Sequence, residues 1–559
     1  DLSKENIQPM RDELNSITLT YNGEIYNYLD LRKELSKNYE FNTNSDTEVI
    51  IKSYLEWGED FLNKIQGMFA FALFDEKREI VLLARDRLGE KPLFYYSNND
   101  HFLFSSELSA FFSLSNINKR NLNETLLNGF PINREETLLS NVNQVEPGTF
   151  IKLDLKNRDI FKKKFWDINF NINSEKFVNQ EKFDKILNLN IEKCLISDVR
   201  TCVTLSGGLD SSLIVAVASG QKKIDTFSIV FKNKQFDERK HSQKISKQFK
   251  TNHHEIEIEN YSFDQILAML EKFDTPIFDS SIIPSYILFE NLYRHNYKVA
   301  IGGDGGDEIF GGYNHYRILN TINYIKRNYF NFNLSFLKLL TKKIENLNFK
   351  GSQYLNFLLD SNSIYKIPFF FKVNLRKKIL KSEFLIDIKH LSLNNNDNNI
   401  IKLSQSIDLK YTLPLSLLNK LDRCSMLNSV ESRSPFLSQE MVEFSLKNLK
   451  SSDLASKKNQ KIFLKKIGKK YLPKDFIYNR KQGFSFPLID IIKKQNEIKK
   501  IEEILISKES IFDKEGIKMI INKTTKNQIR PELIFCLLNI QLWINKNLNG
   551  DTIFENQIV

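Results

Sequence analysis

Cysteine is scarce, with four in 559 residues. Cys194, Cys202, Cys424 and Cys536 have neither the density of a disulfide scaffold nor the close spacing of a thiolate metal site. They predict buried free thiols in a reducing, cytoplasmic setting. Long apolar runs are missing too. FLFSSELSAFFSL and LSFLKLL are broken by polar residues well short of the ~18 that cross a bilayer, so no membrane partner is expected. The opening DLSKENIQPM has no secretory pattern, and it starts at Asp1 rather than Met. No Walker A string (GxxxxGK followed by Ser or Thr) occurs, which excludes the usual P-loop. The acidic spacing of a calcium loop is absent as well.

Acidic residues are outnumbered, 69 against 80 Lys and Arg, for a net charge of +11. A basic balance admits nucleic-acid binding. Here lysine is spread along the chain, which argues for compositional bias and against a nucleic-acid partner. The densest basic run, KKNQKIFLKKIGKK at 457–470, sets Ile462, Phe463, Leu464 and Ile467 at helical spacing and predicts one solvated helix face. What the chain has in abundance is apolar side chain: 41% hydrophobic with 44 Phe. That is ample for packed cores, and the length suggests about three domains.

The rhythm of the chain changes once. From 17 to about 110, SITLTYN, FAFALFD, EIVLLARD, PLFYY and HFLFSSE read as short strands punctuated by Asn, Asp, Gly or Pro. A turn is expected at Asn22-Gly23, followed by a helix through YNYLDLRKEL. TFIKLDL adds a strand, and an Asn/Lys-rich passage at 161–180 reads as a linker. From about 180 the pattern becomes helix (EKFDKILNLNIEKCLI), strand (VRTCVTL), helix (SSLIVAVAS), strand (IDTFSIVF), helix (ERKHSQKISKQF), strand (HHEIEI), more helix, and strand (YKVAIGG). Alternation of this kind predicts βαβ units and a doubly wound parallel sheet. Residues 318–405 show helical periodicity and no legible motif.

LSGGLDSS at 205–212 sits between a β-branched strand and an apolar helix. Gly207 and Gly208 let backbone N–H groups approach an anion, and the next helix adds its positive end. Ser206, Ser211 and Ser212 supply hydroxyls, and Asp210 is a hard oxygen ligand for Mg²⁺. A second Gly- and acid-rich string, AIGGDGGDEIFGGY at 300–313, follows a predicted strand. A segment this flexible costs folding free energy, which points to close approach of a ligand. Asp304, Asp307 and Glu308 are its candidates for a second metal face.

SGGLDSS resembles the pyrophosphate loop of the ATP pyrophosphatases, which cleave ATP between the α- and β-phosphates. With YNGEIYNY (21–28), SDTEVI (45–50), GMFAFALFD (67–75), RDRLGEKPLFY (85–95), SSELSA (105–110), GGDGGDEIFGGY, VESRSPFLS (430–438) and RKQGFSFP (480–487), nearly the whole chain resembles the glutamine-hydrolysing asparagine synthetases. The resemblance implies an α/β and α+β chain. An N-terminal-nucleophile glutaminase sandwich (αββα) at 1–160 would be followed by a doubly wound ATP pyrophosphatase domain with extra helices at 181–547. It implies ATP and Mg²⁺ as cofactors, an acyl-AMP intermediate, aspartate or another carboxylate as acceptor, glutamine or ammonia as nitrogen source, and a homodimer.

Carried over by position, Asn22 and Gly23 resemble an oxyanion hole, and Glu24 and Asp46 the carboxylates that hold the α-amino group of glutamine. Leu205 and Ile229 match the adenosine pocket, and Gly302 and Gly303 the backbone beside the nucleotide. Asp210 and Asp307 match the Mg²⁺-pyrophosphate ligands, while Lys481 matches a lysine that neutralises the reacting phosphate. Glu431 and Arg433 fall in a motif facing the acceptor site.

The sequence departs from the family in two ways. The family nucleophile is an N-terminal cysteine, and no cysteine precedes Cys194; if family spacing holds, about fifty residues are missing. The chain as written is therefore expected not to hydrolyse glutamine, and the incomplete sandwich is expected to be unstable. Second, Asp304 stands where asparagine synthetases carry Glu, which shortens the reach of a catalytic carboxylate. The alternatives are an amidotransferase acting on a uronic acid of a surface polysaccharide or on a cyclising β-lactam-type substrate, a non-catalytic paralogue, and an RNA-modifying pyrophosphatase.

Overall fold

The computed structural model describes residues 6–168, 179–233, 237–258, 261–329, 373–386, 388, 399–477 and 486–548. The N-terminal half contains β1 (Met10–Asp12), β2 (Ile17–Ile25), β3 (Gly67–Asp75), β4 (Ile80–Arg85), β5 (Phe94–Ser97), β6 (Phe102–Ser105), β7 (Val142–Gln144), β8 (Thr149–Asp154) and β9 (Ile160–Lys164). They form a six-stranded antiparallel sheet in the order β1-β2-β3-β4-β8-β9 and a three-stranded sheet in the order β6-β5-β7. Helices α1 (Tyr28–Leu35), α2 (Asp46–Trp57) and α3 (Lys119–Asn128) complete the layers.

Strand β3 shows why these layers stack. Alternate side chains of a strand leave opposite faces. Phe69, Phe71 and Leu73 pack with Val49, Ile50 and Tyr54 of α2, whereas Ala70 and Ala72 pack with Tyr95 and Val145 at the second sheet. Beyond that sheet, Leu122 and Leu126 of α3 meet Phe94, Leu138 and Val142. The result is the expected helix–sheet–sheet–helix sandwich. Each fully buried Phe or Leu contributes about 1.5–3 kcal/mol of burial.

The turn expected at Asn22-Gly23 is not there. Both residues lie within β2, with Asn22 opposite Ala70 and Gly23 opposite Phe69. Gly23 has φ +152°, and a Cβ built on it would stand 2.1 Å from the Met68 carbonyl oxygen. The glycine is needed for close approach of two strands rather than for a hairpin.

In the C-terminal half α4 (Gln180–Leu195) precedes β10 (Thr201–Thr204), α5 (Leu209–Ala218), β11 (Asp225–Phe231), α6 (Arg239–Phe249), β12 (Asn252–Ile258), α7 (Phe263–Leu270), α8 (Ile282–Arg294), β13 (Val299–Ile301), α9 (Gly306–Phe310) and α10 (Asn314–Tyr329). A last short strand, β14 (Glu431–Arg433), joins much later. The five strands are parallel in the order β12-β11-β10-β13-β14. The chain runs outward from β10 to β12 and returns to β13 on the other side, so the order reverses at β10. Ligands of doubly wound sheets bind at such a point.

Further helices, among them Asn419–Met426, Ile462–Tyr471 and Pro531–Leu548, cover this sheet. Ile534, Leu537, Ile540 and Ile544 of the last are fully buried. The four cysteines are free and buried, as their sparse spacing predicts. No helix among the described residues is long and apolar enough to cross a membrane. The halves are pinned together by Lys91 and Asp422, 3.1 Å apart and both buried. Most of the 318–405 stretch, and Lys481 with its RKQGF surroundings, lie outside the described residues.

Candidate functional site

Backbone pairing places the first motif. The Leu205 N–H donates to the Phe227 carbonyl at 2.7 Å, which carries the β10–β11 pairing into the loop. Gly207 then turns with φ +77° against α6, and Gly208 caps α5. The Gly208 N–H donates to Ser206 Oγ at 3.3 Å, Ser206 Oγ and Ser211 Oγ are 3.1 Å apart, and the Ser211 hydroxyl donates to the Gly208 carbonyl at 3.3 Å. Hydroxyls, N–H groups and the start of a ten-residue helix thus gather at the switch point.

Beside this loop opens a cleft of about 540 Å³. Leu205, Ser206, Gly208, Asp210, Ser211, Ile229, Gly303, Asp304 and Asp307 all line it. Gly207, Ser212 and Gly302 do not: Ser212 is fully buried, and the Gly302 N–H donates to the Arg433 carbonyl at 2.9 Å. A Cβ on Gly303 would stand 2.9 Å from Asp210 Cβ, so this glycine lets the second motif pack directly on the first.

At that junction the two carboxylates converge on Lys461. Its Nζ pairs with Asp210 Oδ2 and lies 2.5 Å from Asp307 Oδ1; its side chain is only 5% exposed. Burial lowers the ammonium pKa, but the two carboxylates outweigh it and hold it above its ordinary value. The solvated helix face expected at 457–470 is present, with Phe463, Leu464 and Ile467 buried and Lys466, Lys469 and Lys470 exposed; Lys461 is the exception. The helix begins at Ile462, and the residue before it turns inward with φ 50° as its N-cap. No local pattern marks this lysine, because its partners lie far away in sequence.

Asp304 is exposed toward the cleft. The surrounding walls raise its carboxyl pKa, Lys420 opposes this, and Asp210 and Asp307 add to it. Glu308, expected as a metal ligand, borders the cleft but is itself buried, and it accepts a hydrogen bond from the Tyr313 hydroxyl. Burial, with Asp307 beside it, pushes its carboxyl up to about 8. Lys420, Asp279, Ser281 and Ser432 also line the cleft, and sequence reasoning identified none of them.

The N-terminal candidates gather on β2 and the start of α2. Asp46 accepts from the Tyr21 hydroxyl at 2.8 Å and the Ile25 N–H at 3.0 Å. Glu24 is 2.9 Å from a terminal nitrogen of Arg433, whose Nε is 2.6 Å from Glu431 Oε1. Burial raises the Glu24 carboxyl pKa; Arg433 draws it down, and Asp46 and Glu431 push it further up. Glu431 and Arg433 were expected to face the acceptor site. Strand alternation decides otherwise: Ser432 faces the cleft, while its two neighbours point the other way, toward Glu24. Asn22 and Gly23 lie one step along the same strand.

Comparison with known proteins agrees with this division. Residues 182–545 match the family model described as asparagine synthase, and residues 1–166 match that described as a glutamine amidotransferase domain. A Methanocaldococcus jannaschii protein, provisionally named glutamine-hydrolyzing asparagine synthetase 2, is 32% identical over 460 residues, covering 76% of this chain and 87% of the relative. Glutamine-hydrolyzing asparagine synthetase 1 of Bacillus subtilis is 29% identical over 510 residues, covering 87% and 78%. Among solved structures, a glutamine phosphoribosylpyrophosphate amidotransferase from B. subtilis aligns over 54% of this chain and 65% of its own at 17% identity. Its TM-score of 0.23 is too low to bear on the argument.

Proposed function

We propose, from the premise that the chain belongs to the asparagine synthase family, that its C-terminal cleft activates an acceptor carboxylate, aspartate first, as an acyl-adenylate and converts it to an amide. Family membership makes the chain a glutamine-dependent amidotransferase and ligase of the ATP-using kind. We place the boundary between its two domains between Lys164, the end of the last sandwich strand, and Gln180, where α4 begins.

In the first step an acceptor carboxylate oxygen attacks the α-phosphorus of ATP and the bond to pyrophosphate breaks. Leu205 and Ile229 offer an apolar seat for adenosine, with Gly302 and Gly303 passing beside it. Ser206, Ser211 and the Gly207–Gly208 backbone are donors for the leaving pyrophosphate, with Ser212 supporting the loop from within. Asp210 and Asp307 would hold Mg²⁺. The fit rests on two observations: the pair already closes on a cationic atom, and Asp210 Oδ1 is buried with no hydrogen-bond partner. When bound, the ion supplies neutralisation of the pyrophosphate charge. Lys461 adds a fixed positive charge at the same point, and Lys481 is assigned the same task on the reacting phosphate.

In the second step ammonia attacks the acyl carbon, AMP leaves with the carbon–oxygen electron pair, and the attacking nitrogen sheds a proton. Asp304, with its raised carboxyl, is placed to accept that proton. In the N-terminal half Asn22 and Gly23 are assigned to the oxyanion, and Glu24 and Asp46 to the α-amino group of glutamine.

The observation that carries this reading is the convergence of Asp210, Asp307 and Lys461 at the β10 switch point beside Asp304. Exchange of labelled pyrophosphate into ATP tests it. Aspartate-dependent exchange that disappears in Asp210→Ala is expected. A folded chain that exchanges with no acid would refute it.

A further inference from the structure

The two halves of the chain enclose a second cavity, of about 90 Å³, that shares no described lining residue with the cleft. Its walls are mostly apolar, with Phe94, Phe130 and Pro131 on the sandwich side and Pro276, Pro414 and Leu415 on the other. Into this setting the end of β4 brings the guanidinium of Arg85, which is 4% exposed. Its Nε donates to the Lys91 carbonyl at 2.7 Å. One terminal nitrogen donates to Gln144 Oε1 at 3.1 Å and the Val145 carbonyl at 2.9 Å, the other to the Gly89 carbonyl at 3.1 Å. Four of the five N–H groups are thus used, all on neutral oxygens, and one is left. Asp86 and Asp422 act on this cation through space, and no carboxylate among the described residues bonds to it. Buried charges are ordinarily paired, because neutral partners return only part of what the loss of water costs.

A second group points the same way. The Thr125 hydroxyl, on α3, is buried in the same wall with no hydrogen-bond partner in the protein, which is rare for a buried polar atom. The acids that line the cavity are already committed. Asp422 is paired with Lys91, and Glu136 accepts from Asn133 Nδ2 at 2.8 Å. Burial, with Asp86 beside it, holds the Glu90 carboxyl well above its ordinary range, so that it keeps its proton. At about 15 Å³ for each water-sized group, the cavity has room for roughly six non-hydrogen atoms.

The cavity and the cleft lie on opposite sides of one stretch of chain. Pro414, Leu415, Asn419 and Asp422 line the cavity, whereas Leu417, Leu418, Lys420 and Leu421 line the cleft. Lys91, which pins Asp422, also holds Arg85 through its carbonyl. We infer that this cavity is an effector site for a small aliphatic carboxylate, whose occupant braces the shared wall of the cleft. The anionic end lies on Arg85 and the Thr125 hydroxyl, and the hydrocarbon end lies against the prolines and Leu415. The inference goes beyond the ligase reading, in which neither Arg85 nor Thr125 takes part.

Calorimetric titration of the full chain tests this with butyrate, a carboxylate of that size, and with butyramide, its uncharged counterpart. Butyrate is expected to bind with a Kd of about 1 mM or below, and butyramide at least about tenfold more weakly. Thr125→Val should weaken butyrate about three- to tenfold, whereas Asp210→Ala, in the cleft, should leave it within about twofold. Saturating butyrate should lower the Kd of ATP at least about twofold. Equal affinity for butyrate and butyramide, or binding of neither, overturns the inference. So does butyrate binding that is lost in Asp210→Ala or kept in full by Thr125→Val, since either result takes the ligand out of this cavity. A Kd of ATP that butyrate leaves unchanged or raises overturns the bracing of the cleft. The wild-type comparison of the two ligands decides the matter even where a variant does not fold, and it needs no exchange activity.

Discussion

Arg433 and Lys461 each join two carboxylates in the buried heart of the molecule, Glu24 with Glu431 in one case and Asp210 with Asp307 in the other. In both, burial pulls the pKa of the cation down and the flanking carboxylates push it up further. The surroundings differ. Arg433 also donates to the Ile196 carbonyl at 2.6 Å and the Cys194 carbonyl at 3.3 Å, so its planar fork is committed on every side. Lys461 is a point charge on a flexible stem, and its two partners, 14% and 17% exposed, open on the cleft. The first arrangement is a strut between the two halves of the chain. The second sets a fixed positive charge and two carboxylates at the wall of the cleft.

The sharpest way to break this contrast is Arg433→Met. It leaves half-buried Glu24 and Glu431 without their cation and the Cys194 and Ile196 carbonyls without their donor, and a loss of about 3–5 kcal/mol in unfolding free energy is expected from urea titration. A loss under about 1 kcal/mol would place Arg433 with ordinary surface pairs. Lys461→Met should do the opposite: a stability change smaller than that of Arg433→Met, since the loss falls on Asp210 and Asp307 and not on backbone carbonyls as well, with pyrophosphate exchange down about a hundredfold. Equal stability losses in the two variants would erase the distinction.

Gly23→Ala probes the backbone beneath the first cluster. A Cβ 2.1 Å from the Met68 carbonyl oxygen, at φ +152°, should cost roughly 2–3 kcal/mol, read as a lowered thermal midpoint. An unchanged midpoint would mean that β2 and β3 separate easily. The smallest effect is expected at Glu308, beside the second cluster. Its folded carboxyl stands at about 8 against an ordinary value of 4.5. Between those values the folded chain keeps a proton that the unfolded chain releases, so its contribution to stability falls as pH rises through that window. Glu308→Gln should flatten that decline by a part of the ~1.4 kcal/mol per pH unit that one proton allows. Parallel urea midpoints for both proteins across the window would show that Glu308 is ionised throughout.

Much of the fold was legible because local patterns match local forces. Alternating Phe and Ala in GMFAFALFD announce a strand with two different faces, and the uninterrupted apolar VRTCVTL announces a buried parallel one. The same regularity misled at Asn22-Gly23, where a dipeptide that usually turns is used for close strand approach. At 457–470 the solvated helix face was legible from Ile462 onward, but periodicity said nothing of the lysine just before it.

The sequence alone determined the alternation of elements, the Gly-rich anion loop at the end of β10 and the acidic loop after β13, since backbone freedom, helix termini and apolar spacing act over a few residues. Tertiary structure decided which charges meet. Lys461 reaches Asp210 from 251 positions along the chain, β14 turns Arg433 to Glu24 rather than to the cleft, and Lys420 finds Asp279 in the segment that enters α8. Coulomb attraction in a dry interior depends on distance through space, and only the folded chain sets that distance.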